Sequence, residues 1–159
     1  MSSRSLSIII PAYNEERNIR AACAEMARVV EKHIPDYEIL VIDDASQDRT
    51  AEVVRELQNE NPHIQLFQNP VNRGLGYNYR AGILKARCRY AIMVPGDNEL
   101  VADSLEGIFN EIGSTDIIVC YSENAEVRPL WRQFISNMFT GSLNFLFGIR
   151  VRYYNGPSV

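Results

Sequence analysis

Five short runs rich in Ile, Val and Leu, with stretches of helical spacing between them, set the tightest limit on what this chain can become. The runs are LSIIIP at 6–11, YEILVI at 37–42, IQLF at 64–67, YAIMV at 90–94 and DIIVC at 116–120. Each is short, and most are nearly continuous in apolar character. That is the mark of a strand covered on both faces, as in parallel sheets joined by helical crossovers. The intervening stretches supply those helices. Residues 14–32 place Ile19, Cys23, Met26, Ala27 and Val30 on one face, with Asn14 suited to the N-cap and Glu15-Glu16 to the positive end of the helix dipole. Residues 49–59 carry Val53, Val54 and Leu57 behind a cap at Ser46 or Asp48. A helix is also expected at 76–86. Another at 103–112 has Leu105, Ile108, Phe109 and Ile112 on one face, and Asp103 with Glu106 makes a capping-box pattern. The expected architecture is α/β, three layers in α/β/α order around a mostly parallel sheet. No repeat, low-complexity segment or linker interrupts it, so residues 1–159 read as a single domain.

Composition removes several function classes. With 46% hydrophobic and 23% charged residues the chain can bury a core. A formal charge of −4 argues against a nucleic-acid binder. Cys23, Cys88 and Cys120 are an odd, widely spaced set in apolar surroundings, which fits the reduced thiols of a cytoplasmic protein better than disulfides or a zinc site. His33 and His63 lack metal-ligand spacing. The apolar run at 6–11 is too short for a signal peptide, and no window of about 18 apolar residues offers a membrane span.

Parallel sheets bind ligands beyond the carboxyl ends of their strands, near a switch in strand order. The polar residues of interest lie where that rule puts them. Pro11-Ala12-Tyr13-Asn14-Glu15 follows the first strand, Asp43-Asp44-Ala45-Ser46 the second, Asn69 to Gly76 the third and Gly96-Asp97-Asn98-Glu99 the fourth. Asp43, Asp44, Asp97 and Glu99 would crowd four carboxylates around one cleft, which is costly unless a cation or hydrogen-bond donors offset them. A divalent metal with oxygen ligands, bridging to a diphosphate, meets that need. The same residues also suit plainer roles, since aspartates cap helices and Gly-Asp-Asn is good turn chemistry. The segment NPVNRGLG at 69–76 adds two glycines for close backbone approach, and Arg73 and Arg80 add positive charge. Neither a Gly-x-Gly-x-x-Gly fingerprint nor a Walker motif is present, which counts against a dehydrogenase and a P-loop enzyme.

In order, SIIIPAYNEERNI, VIDDASQDRT, NRGLGYNYRAGI and GDNE resemble the family 2 glycosyltransferases, inverting nucleotide-sugar enzymes of the GT-A fold. The resemblance covers residues 6 to about 100. Beyond Asp116 it is looser: Arg128, Trp131-Arg132, Ser136, Asn144, Gly148 and Tyr154-Asn155-Gly156 are similar to the branch that loads sugars onto polyprenyl phosphates. The resemblance implies a UDP- or GDP-sugar donor, a divalent Mg²⁺ or Mn²⁺, and a lipid-phosphate or saccharide acceptor. Residues 1–100 would be the nucleotide-sugar-binding part and 101–159 the start of an acceptor-side part that family members continue.

The resemblance also assigns roles. Pro11, Tyr13 and Glu15 match positions that hold the nucleoside, and Asp44 matches the aspartate that hydrogen-bonds the base. Arg73 and Gly74 fall in the same nucleotide-sugar site. Asp97 matches the second aspartate of the Asp-x-Asp metal motif, and Glu99 a position that joins the metal shell. Pro95 stands where the first aspartate of that motif belongs, which leaves the metal one carboxylate short. Arg128 and Arg132, at i and i+4, could grip an acceptor phosphate from one helix face. The apolar stretch at 129–147 suits either a core or interdomain helix or contact with a membrane surface, which would put a cytoplasmic enzyme at the inner face of that membrane. No residue here presents itself as the general base that transfer to a hydroxyl requires. Two other readings remain open: a nucleotide-binding module without chemistry, and a transferase acting on saccharide hydroxyls in cell-envelope polysaccharide synthesis. A nucleotidyltransferase would need a glycine-rich, basic loop after the first strand, and PAYNEE is not one.

Overall fold

The computed structural model describes residues 4–96, 102–118 and 130–148, apart from the side chains of residues 102–104, 130 and 132. The elements run β1 (Ser5–Ala12), α1 (Ile19–His33), β2 (Asp36–Asp43), α2 (Thr50–Glu60), β3 (Ile64–Gln68), α3 (Leu75–Lys85), β4 (Tyr90–Met93), α4 (Ala102–Glu111) and α5 (Leu130–Phe147). The chain divides into two compact units, Met1–Ile118 and Val119–Val159, with α5 in the second.

Four strands form one sheet in the order β3-β2-β1-β4, every pair parallel. Ile8, Ile9 and Ile10 of β1 and Ile39, Leu40 and Val41 of β2 are fully buried, as the unbroken apolar runs require of central strands covered on both sides. Right-handed crossovers put α1 and α2 on one face, because β1, β2 and β3 step in a single direction. The return from β3 past β1 to β4 carries α3 to the other face, against β1 and β2. Strand order therefore switches between β1 and β4, and a crevice at their carboxyl ends is the expected ligand site. Pro11 can lie inside β1 because Ile9 O faces β4, accepting from Val94 N at 2.9 Å. Two residues on, Pro11 turns its missing N–H to that same side, beyond the last pair, Ile9 with Met93.

Several boundaries differ from the sequence expectation. The first helix begins at Ile19, not at residue 14, because Asn14 has φ 57° and its side chain is used elsewhere. Neither Ser46 nor Asp48 is the N-cap of α2; Arg49 holds that position, and Asp48, just before it, accepts the Thr50 amide at 2.9 Å. Residues 116–118 are not a strand; the last pairing nearby is an isolated bridge between Ile112 and Thr115. The rest of that expected strand, and the Asp103 side chain of the expected capping box, lie outside what is described. Leu105, Phe109 and Ile112 are buried as foreseen, with Ile108 half-buried.

One glycine sets how closely α3 can approach the sheet. A Cβ on Gly82 would lie 2.4 Å from Ile9 Cγ2, and Ile9 is fully buried. The neighbour is an inner side chain of the core with nowhere to move, so Gly82→Ala must lift α3 or displace β1. The expected loss is about 1–3 kcal/mol of unfolding free energy, the range for overpacking a filled core, read from urea unfolding curves.

Candidate functional site

Three loops leave the carboxyl edge of the sheet side by side. The ladder runs a little past the strands: Asp44 N donates to Ala12 O at 2.8 Å, and Asn69 N to Asp43 O at 2.8 Å. The loops after β1, β2 and β3 are thereby in register.

Asp44 is the hub. Its residue is 3% exposed. Oδ1 accepts Asn69 Nδ2 and the Arg73 amide, each at 2.8 Å, and Oδ2 accepts the Gly74 amide at 2.8 Å. Burial pushes this carboxyl up, but the hydrogen bonds from Asn69, the Arg73 amide, Asn78 and the Gly74 amide outweigh it and hold it below the usual carboxylate range. Asp44 is therefore ionised at neutral pH. Gly74 adopts φ 82°, ψ 165°, a region essentially confined to glycine, and caps α3. Asn69 Nδ2 also donates to Asn78 Oδ1 at 2.6 Å, tying the loop to the buried side of α3.

Asp43 has a different task. Its Oδ1 accepts the Ser46 amide at 3.1 Å and its Oδ2 accepts Gln68 Nε2 at 3.0 Å. Hydrogen-bond donors thus offset the charge of both aspartates. The case for a metal moves to Asp97 and Glu99, which lie outside the described residues. Among the described residues no group of three or more His, Cys, Asp or Glu could hold a metal ion.

Around the hub, Tyr13 is 45% exposed on the rim, one residue past the Ala12 carbonyl that Asp44 N touches. Pro11 borders the crevice at the switch point, where a Cβ on Gly96 would stand 3.1 Å from Pro11 O. Glu15 turns toward α1: its Oε2 accepts Asn18 Nδ2 at 2.9 Å. The Arg73 guanidinium lies over the Tyr77 ring, 5.5 Å from its centroid, and Arg80 is exposed on α3. Asp44, Arg73 and Gly74 are thus in direct contact, with Tyr13 beside them. Arg128 lies outside the described residues; Arg132 sits in α5, its side chain not described.

Asn69, Asn78 and Thr50 are working parts of this edge that sequence reasoning passed over. For Asn78 a signal existed. It sits four residues after Gly74 and four before Gly82, so a helix places all three on one stripe, and a polar residue on a buried stripe needs a partner.

This arrangement, a parallel sheet with its ionised aspartate and glycine loop at the carboxyl edge, is that of the GT-A fold of glycosyltransferases. Solved structures bear this out: a mannosyltransferase from Pyrobaculum calidifontis in complex with GDP-Man and Mn²⁺ superposes with a TM-score of 0.56 at 23% identity, covering 65% of this chain and 30% of that one. Staphylococcus aureus TarS 1–349 in complex with UDP-GlcNAc gives 0.54 at 24% identity over 65% of this chain and 30% of that one. The chain belongs to glycosyl transferase family 2, whose profile matches residues 7–156. Among its relatives, a dolichyl-phosphate beta-glucosyltransferase of Trichomonas vaginalis is 33% identical over 114 residues, 69% of this chain and 35% of that protein. One of Dictyostelium discoideum is 35% identical over 130 residues, 75% of this chain and 40% of that protein. The chain thus spans 35–40% of the length of these two relatives.

The depressed pKa of Asp44 sets a pH dependence. Its contribution to stability is complete above the unfolded carboxyl value of about 3.9 and is lost as pH falls through the lower folded value. Asp44→Asn keeps the shape but strands one loop amide, so it should cost about 1–3 kcal/mol at pH 7. That gap should narrow between pH 4 and pH 3, as urea unfolding at the two ends would show.

Proposed function

We propose that this chain holds the nucleoside diphosphate of a sugar donor at the carboxyl edge of its sheet and serves an inverting sugar transfer to a polyprenyl phosphate. The observation that carries the donor half is Asp44: ionised and anchored by the loop after β3 at the carboxyl edge, one ladder bond from the residue before Tyr13. An ionised carboxylate selects a base edge that donates. Uracil and guanine both offer N–H groups there, and titration with UDP and GDP separates the two. In this reading Tyr13 covers the base, Pro11 and Glu15 shape the nucleoside wall, and Arg73 and Gly74 close the loop against Asp44.

A divalent Mg²⁺ or Mn²⁺, when bound, would neutralise charge on the departing diphosphate; Asp97 and Glu99 are the residues to hold it, and a carboxylate set suits those ions. The Mn²⁺ bound in the Pyrobaculum neighbour supports this. The dolichyl-phosphate relatives support a lipid-phosphate acceptor, with Arg128 and Arg132 as its grip. The exposed Trp131, Phe134, Ile135 and Phe145 of α5 fit peripheral contact with the membrane that carries such a lipid. Among the described residues no helix is long and apolar enough to cross it. Pro95, in place of a metal-motif aspartate, favours the second reading of a binding module without chemistry.

Calorimetric titration with UDP and GDP, in Mn²⁺ and in chelator, tests the donor half. UDP should bind in Mn²⁺ and far more weakly in chelator. Asp44→Ala should cost about 1.5–3 kcal/mol, roughly 10- to 150-fold in affinity. Asp97→Asn should remove the metal-dependent part and leave the melting temperature of the unliganded protein unchanged. An Asp44→Ala variant that folds and binds UDP normally would reduce Asp44 to a loop anchor, and affinity indifferent to chelator would favour the non-catalytic module. For the acceptor half, removing both Arg128 and Arg132 should raise KM for a short polyprenyl phosphate in a transfer assay without changing donor affinity. Unchanged transfer would favour a saccharide hydroxyl as acceptor.

A further inference from the structure

The loop after β1 gives three successive backbone amides to side chains of the segment that begins α2. Asn14 N donates to Ser46 Oγ at 2.9 Å, Glu15 N to Thr50 Oγ1 at 2.8 Å and Glu16 N to Asp48 Oδ2 at 3.1 Å. The exchange runs both ways: Gln47 N donates to Asn14 Oδ1 at 2.8 Å and Arg49 N to Glu16 Oε2 at 3.0 Å. Thr50 sits at the centre and is fully buried. Its hydroxyl proton goes to Asp48 Oδ1, which leaves the oxygen lone pairs for the Glu15 amide. Two non-glycine residues hold left-handed backbone here, Asn14 at φ 57° and Ala45 at φ 62°. Conformations of that kind persist only where the surroundings over-determine them, and these reciprocal bonds do so.

Successive free amides around a left-handed residue form a concavity that attracts anions. In this chain each is already satisfied, so a diphosphate has no claim on them. The loop is held as a wall and not offered as a phosphate cradle. What the bonds fix is the place of the residues on either side, Tyr13 before them and the Glu15 side chain among them.

We infer that Thr50, working with Asp48, is a positioning residue for the donor site: it sets Tyr13 and Glu15 without itself touching the ligand. This rests on the reading that Tyr13 and Asp44 hold the nucleoside. Thr50→Val keeps the volume and removes the acceptor, whereas Thr50→Ser keeps the hydroxyl. The test pairs amide hydrogen exchange with UDP titration in Mn²⁺.

In Thr50→Val the Glu15 amide should exchange at least tenfold faster while the Ile8–Ile10 amides stay as protected as in the wild type. UDP affinity should fall about tenfold, equivalent to about 1.4 kcal/mol. Thr50→Ser should restore both within about twofold. Should Thr50→Val fail to fold, Ser46→Ala frees the Asn14 amide at a less buried point and should give the same pattern of local exchange and weakened binding. A faster-exchanging Glu15 or Asn14 amide with UDP affinity within twofold of wild type would overturn the inference and leave the donor site standing. Equal loss of affinity in Thr50→Ser would also overturn it, because the hydroxyl would then not be the cause. A wild-type protein that binds neither UDP nor GDP would overturn the donor-site reading, and the positioning role with it.

Discussion

Asp44 joins what would otherwise be three independent loops. Its amide continues the ladder onto Ala12, and its carboxylate takes Asn69, Arg73 and Gly74 from the loop after β3. A nearly buried carboxylate is tolerable only when donors replace the water it has lost, and here the replacement is also the architecture. Remove the charge and Gly74 has no reason to hold a backbone conformation that only glycine reaches. With Gly74 released, α3 loses its start, and the Asn69–Asn78 contact that docks it loses its geometry. The carboxyl edge therefore behaves as one unit whose members stand or fall together.

The edge also concentrates strain. Asn14, Ala45 and Gly74 all have positive φ, and they lie in the loops after β1, β2 and β3. Each non-glycine case costs on the order of 1 kcal/mol or more. The apolar strands beneath, with Ile8, Ile9, Ile10, Ile39, Leu40 and Val41 fully buried, offset that cost. A rigid sheet beneath strained, hydrogen-bonded loops is what lets a site hold its shape before a ligand arrives.

Strand positions and fold class were legible in the sequence because apolar runs of four to six residues are hard to reconcile with anything but buried strands. The loops that follow the first three strands were legible for the same reason. The starts of α2, α3 and α4 were legible to within one residue, but that of α1 was not. Asn14-Glu15-Glu16 has the composition of a helix N-terminus, yet Asn14 spends its side chain on Gln47 N and Glu16 on Arg49 N. Both are tertiary partners, more than 30 residues away, that no local pattern shows. The expected strand at 116–120 rested on composition alone; among the described residues 116–118 carry no strand pairing, and an apolar run without a ladder is not a strand. Asp43 and Asp44 were visible as a pair, but their division of labour, one bracing Ser46 and Gln68 and the other the glycine loop, depends on which donors the fold brings near.

The opposite edge of the sheet shows how the partners and place of a buried carboxylate separate a staple from a site. Glu38, in β2, is as buried as Asp44, and it too anchors a loop. The amides of Arg87, Cys88 and Arg89 go in succession to Glu38, Ser7 and Ser5, just as those of Asn14, Glu15 and Glu16 go to the α2 segment. But Glu38 is full. Oε1 accepts Ser7 Oγ and the Arg87 amide, and Oε2 accepts Gln65 Nε2 and Arg87 Nε, with Arg87 Nη2 at 2.8 Å. Burial raises its pKa and those bonds outweigh it, as at Asp44, so the direction of the shift does not tell the two residues apart. The kind of partner does. Glu38 has the guanidinium of Arg87 for a partner, whereas Asp44 is held by neutral donors alone. It also lies at the edge where α2 and α3 begin and where their N-terminal dipoles favour an anionic ligand. A ligand bearing a base that donates and a phosphate that carries charge finds both complements on that edge and neither on the other.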